Sequence, residues 1–127
     1  MTAITSVPAV LDITSGNNED FDGSCFVGLP GEAFPMDNAT WHMQLRRQPG
    51  NVEVALEFIT ADGSLVMSDP QPAGTPPGIT LSFHRPASAV AALSGVYVSD
   101  LKMIRGSRKV IIASGTVTFT QGISIEP

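Results

Sequence analysis

Few side chains in this 127-residue chain have the chemistry for catalysis or metal binding: one cysteine, two histidines and twelve carboxylates. A nucleophilic site needs Cys25 or a serine beside an imidazole and an orienting acid, so that the base takes the proton as the nucleophile attacks. Cys25 occupies an inward position of an alternating segment, Phe21–Val27, where cysteine packs as a small hydrophobe. His42 and His84 both fall on outward positions of alternating segments. Neither has a second histidine two or four residues away, so neither starts a zinc site. Glu19, Asp20 and Asp22 cluster beside Asn17 and Asn18, and oxygen donors of this kind suit a hard cation such as calcium. The stretch lacks the full EF-hand spacing and its distal bidentate glutamate, and a solvated acidic turn is the plainer reading. No glycine-rich loop follows a strand and opens a helix, as a phosphate cradle requires. Nothing selects one carboxylate pair for glycoside hydrolysis. The expectation is a non-enzyme with no catalytic residues, no metal ligands and no cofactor.

Equipment for binding is equally sparse. Trp41 and Tyr97 alternate into inward faces, which leaves no aromatic platform for sugars or single-stranded nucleic acid. Arg46-Arg47 closes a strand at the mouth of a turn. Such a pair grips an acidic patch on a neighbour or, equally, discourages stray strand pairing. The net charge of −5 argues against nucleic acid as a partner. Charge is also unevenly placed. Asp12, Glu19, Asp20, Asp22, Glu32 and Asp37 lie in residues 1–45 without a lysine or arginine, whereas Lys102, Arg105, Arg108 and Lys109 lie in 101–109 without an acid. This asymmetry either steers copies into a ring or head-to-tail array or marks solvated loops of opposite sign. Charged residues make up only 15% of the chain, below the usual quarter, which favours a surface covered by other subunits. The candidate contact residues are Arg46, Arg47, Arg105, Arg108 and Lys109. Pro70, Pro72, Pro76 and Pro77 join them from 68–78, read as a stiff surface loop because proline has no ladder donor.

Strand patterns must position all of these, since helical signals are nearly absent. Short alternating segments recur between turn residues, which predicts an all-β single domain spanning 1–127. Val10–Thr14, Phe21–Val27 and Ala39–Arg47 are the first three strands, with Trp41, Met43 and Leu45 facing inward. Val52–Phe58 forms a hairpin with the third. Asp62-Gly63 makes a tight turn, and Ser64–Met67 returns from it. Ile79, Leu81 and Phe83 mark the next inward face, and Pro86–Leu93 forms one or two helical turns. Tyr97, Ser99, Leu101 and Met103 line one face of a long strand, and Arg105–Arg108 turns the chain. Lys109–Thr120 is the last strand, with Val110 and Ile112 out of register, as at a bulge or a second buried face. Seven or eight strands of this kind predict a two-sheet, immunoglobulin-like β-sandwich, and a Trp41 buried on the third strand fits. A single cysteine excludes the inter-sheet disulfide. Met1–Val10 has no basic start or long apolar core, so no signal peptide is expected. No apolar run approaches the ~20 residues of a membrane helix, so no membrane insertion is expected either.

The order of segments resembles small bacteriophage and prophage virion proteins encoded among tail genes, and is similar to the N-terminal domain of siphophage upper baseplate proteins. The likeness runs through Leu11-Asp12-Ile13 with Gly16 behind it, Pro35 to Thr40, and Gln44-Leu45-Arg46. It continues through Asp62-Gly63, Gly78-Ile79-Thr80-Leu81, Pro86–Leu93, Gly95 to Leu101, and Gly115 to Phe119. Of an Asp-Leu-Thr-Gly turn typical of the group only Asp37 is kept, and 68–78 is longer and richer in proline. The resemblance implies a structural virion protein of the tail, baseplate or neck, made in the host cytoplasm. Its partners would be other virion proteins and symmetric copies of itself. A free-standing module for glycan or host-surface polymer, and a capsid decoration protein, are the alternative readings.

Overall fold

The period-two alternation read in the sequence builds two stacked sheets in the computed structural model, which describes residues 2–4, 9–28, 39–71 and 78–121. Ten strands are present among these residues: β1 (Thr2–Ile4), β2 (Ala9–Val10), β3 (Ile13–Gly16), β4 (Phe21–Val27), β5 (Thr40–Arg46), β6 (Leu56–Ile59), β7 (Leu65–Gln71), β8 (Gly78–Arg85), β9 (Gly95–Arg105) and β10 (Arg108–Thr120). One sheet has the order β1-β4-β8-β7. The other runs β2-β10-β9-β5-β6, with β3 also on β10. The facing sets β4-β8-β7 and β10-β9-β5-β6 give an immunoglobulin-like β-sandwich.

Side chains from both inner faces meet in one core. Trp41, Met43 and Leu45 of β5 are buried, as are Cys25 of β4, Leu81 and Phe83 of β8, and Leu101 and Met103 of β9. Aromatic rings tie the layers together. Phe21 of β4 lies 5.1 Å from Phe58 of β6 and 5.9 Å from Phe119 of β10. Phe58 meets Phe83 edge-on at 5.7 Å, and Tyr97 meets Phe119 likewise at 5.8 Å. Each such pair adds about 0.5–1.5 kcal/mol beyond its area burial. Trp41 donates its indole N–H to the Met67 sulfur across the sandwich at 3.1 Å.

Four expectations change in detail. The first strand is split. β2 and β3 both run parallel to β10, but the chain kinks between them at Leu11-Asp12. The Asp12 carboxylate fills the gap by accepting from the Thr116 amide at 2.9 Å and its hydroxyl at 3.2 Å. Gly115 makes room for the kink, since a Cβ there would lie 2.1 Å from the Leu11 carbonyl oxygen. Next, the β5–β6 hairpin forms, but Val52 is 93% exposed and the strand begins only at Leu56. Third, Asp62-Gly63 is not a hairpin turn. A 3-10 turn at Thr60–Asp62 ends on Gly63 with φ 79°, and the chain crosses to the other sheet, where β7 pairs with β8. Fourth, Ser68–Gln71 continues β7 instead of forming a loop. β7 is an edge strand whose pairing with β8 shifts between Ser68 and Gln71, so Pro70 sits where no ladder donor is required. Positions 72–77, with Pro72, Pro76 and Pro77, lie outside the described residues.

The out-of-register pair in the last strand proves to be a bulge. Ile111 pairs with Lys102 and Ala113 with Leu101, leaving Ile112 as the extra residue. Ile112 and Ala113 are both buried. The short helix α1 (Ala87–Val90) follows Pro86 and buries Val90.

Candidate interface

Cross-strand pairing gathers His42, Gln44, Arg46 and Glu57 into a chain on the outer face of the six-strand sheet. In β5, His42 and Gln44 point outward beside Glu57 of β6. The Glu57 Oε2 oxygen lies 2.8 Å from His42 Nε2 and accepts from Gln44 Nε2 at 2.7 Å. Arg46 donates to the Gln44 Oε1 oxygen at 2.7 Å and to the Asn51 carbonyl of its own turn. Hydrogen bonds from His42 and then Gln44 hold the Glu57 carboxyl below its ordinary range. An open depression of about 520 Å³ lies alongside, lined by Gln44, Arg46, Asp100, Lys102 and Ser114 among others.

Arg47 does not join Arg46. Strand alternation turns it to the opposite side, where its guanidinium stacks 4.1 Å from the centre of the Tyr97 ring and donates to the Val96 carbonyl at 3.4 Å. The two arginines therefore face different neighbours and do not form one bidentate patch. Arg105 and Arg108 sit opposite each other at the tip of the β9–β10 hairpin, and exposed Lys109 pairs with Ile104. Arg105 is drawn inward, with a buried Nε and an Nη2 located 3.9 Å from the Met103 sulfur.

On the outer face of the four-strand sheet, His84 of β8 lies opposite Asp22 of β4, with Nδ1 2.7 Å from Oδ1. Ser24 and Ser82 form the next pair on that face, and all four line a shallow depression of about 320 Å³. This is a Ser-His-Asp composition that the sequence reading missed, because it exists only in the register of β4 with β8. Neither serine hydroxyl bonds to the imidazole, so there is no relay to activate a nucleophile. Burial pushes the Cys25 thiol up to about 11, which keeps it protonated and inert at neutral pH.

The acidic turn is dispersed. Glu19 accepts from the Gly16 amide at 3.1 Å, Asp20 from the Ala87 amide at 2.8 Å, and Asp22 turns to His84. Among the described residues no three His, Cys, Asp or Glu side chains gather as a metal site. Trp41 and Tyr97 are 1% and 3% exposed, so neither presents a face to a sugar.

Arg85 was not singled out by its sequence context, yet it joins the two sheets. Its guanidinium donates to the Glu57 carbonyl at the outer edge of β6, with the Nε contact at 2.9 Å, and to Asp62 at 3.1 Å.

No family model matches the chain, and no curated protein does. Among solved structures it is similar to AggA, the major subunit of aggregative adherence fimbriae type I from Escherichia coli. The identity is 8% and the TM-score 0.41, over 94% of this chain and all of that one.

Proposed function

We propose that this chain is a structural protein of a bacteriophage virion, an adaptor or connector of the tail, baseplate or neck that works through protein–protein contacts. The observation that carries the contact role is where the reactive side chains are spent. His42, His84 and their carboxylates are engaged pairwise on the outer faces of two different sheets, while one apolar core fills the space between them. A low charge density and an open sheet edge support the same reading. The virion setting rests on the order of strand and turn motifs from Leu11 to Phe119. Mass spectrometry and cryo-electron microscopy of purified particles test it. The chain is expected at a fixed copy number per particle, in density that accommodates this sandwich. Its absence from intact particles overturns the proposal.

A further inference from the structure

The sheet edges differ in how they are finished. In the six-strand sheet, β10 is covered by β2 and β3, with Asp12 bridging the kink. At the other edge, Arg85 bonds the Glu57 carbonyl, and the Ser64 hydroxyl accepts from the Ile59 amide at 2.9 Å and reaches its carbonyl at 3.3 Å. In the four-strand sheet, β1 covers β4 along Cys25–Val27.

β7 is different. Ser64 accepts from the His84 amide at 2.8 Å, which makes residues 64 and 84 a hydrogen-bonded pair. Antiparallel alternation then points the amides and carbonyls of Val66 and Ser68 toward β8, and those of Leu65 and Met67 away from it. No described residue bonds to the outward-pointing groups of Leu65 and Met67. Val66, between them, shows a side chain 49% exposed on the outer face of the sheet. Leu65–Ser68 carries no ionisable side chain.

We infer that two copies of the chain join edge to edge through β7, antiparallel across a two-fold axis centred on Val66. This register sets Leu65 of each copy opposite Met67 of the other, so the free donors and acceptors satisfy one another reciprocally. Val66 meets its counterpart in a non-hydrogen-bonded pair, where Cα atoms approach to roughly 4.5 Å and side chains lie closest. The exposed valine is thereby covered. The paired positions Leu65, Val66 and Met67 carry no ionisable side chain, so no like charges oppose each other within this register. A segment that complements itself under a two-fold is what an isologous contact demands. A register centred on Met67 fits less well, because it opposes Leu65 to Asp69 and involves the shifted backbone beyond Ser68. The inference names a partner for the contact role proposed above and rests on that reading only for its setting in a particle.

Sedimentation equilibrium and amide hydrogen exchange on the full chain test it. A concentration-dependent dimer is expected, in which the Leu65 and Met67 amides exchange more slowly as concentration rises. The Val66 and Ser68 amides, already bonded to β8, are expected not to respond. Val66→Lys sets two ammonium groups face to face on a solvent-exposed position and should weaken the dimer more than roughly tenfold, while Val66→Thr should keep it. A monomer at every concentration, fast Leu65 and Met67 amides in the dimer, or a dimer indifferent to Val66→Lys overturns the inference. None of these results bears on whether the chain is found in particles, so the two proposals fail separately.

Discussion

Glu57 is the side chain on which the outer polar network turns, because one carboxylate oxygen serves both His42 and Gln44. Its carboxyl is held below the ordinary range, so the folded state binds that proton less readily than the unfolded chain. The resulting stabilisation is complete above the unfolded value of about 4.3 and is lost as pH falls through the lower folded value. Glu57→Gln removes this dependence. Urea midpoints measured from pH 7 down to pH 3 should therefore fall less steeply below about pH 4.5 in the variant than in the parent. Asp62, also lowered by its bonds to Ser64, leaves a residual slope in both. Parallel curves for the two proteins would show that the network contributes nothing. The outward placement of His42 and His84 was legible from alternation alone. Their partners Glu57 and Asp22 were not, because each lies on a neighbouring strand and is fixed by register, to which local periodicity is blind.

At the level of single elements, alternation located β4, β5, β8 and β9 closely, because each buries one face and wets the other. It failed where local hydrogen bonds compete with the ladder. Val52 and Val54 alternate like strand residues, but the Asn51 side chain accepts from the Glu53 amide at 3.2 Å and holds the backbone off β5. Asp62-Gly63 was read correctly as a turn and wrongly as a hairpin. The Ser64 hydroxyl and Arg85 take up the β6 edge groups that a returning strand would have used. These caps make a specific prediction. Arg85→Met keeps the aliphatic stem but leaves the Glu57 carbonyl and Asp62 without their guanidinium partner. Chemical denaturation should show a loss of about 1.5–3 kcal/mol, the range for hydrogen bonds to a charged group. Light scattering should show faster aggregation as the β6 edge opens. A variant as stable and as soluble as the parent would mean that the cap is incidental.

Taken as a whole, the sandwich converts a linear charge asymmetry into a spatial one. Gly95 pairs with Phe119, and Asn17 bonds to Thr120 and Leu93, so the turn carrying Glu19 and Asp20 sits at the end where β9 begins. Arg105, Arg108 and Lys109 sit where β9 ends, after eleven residues of strand. At about 3.3 Å per residue the separation exceeds 30 Å, several Debye lengths at physiological salt. Charges so far apart barely interact within one molecule. Changing the basic tip should therefore leave the fold almost untouched while altering how the molecule approaches a neighbour. Arg108→Glu combined with Lys109→Glu is expected to unfold within about 0.5 kcal/mol of the parent, as surface changes usually do. In competition with the parent during particle assembly, the variant should be under-represented at low salt and recover as salt rises, because steering is screened over a Debye length. Equal incorporation at every ionic strength would show that the basic hairpin is only solvated. Unequal incorporation that ignores salt would place those residues inside a packed contact instead of an approach field.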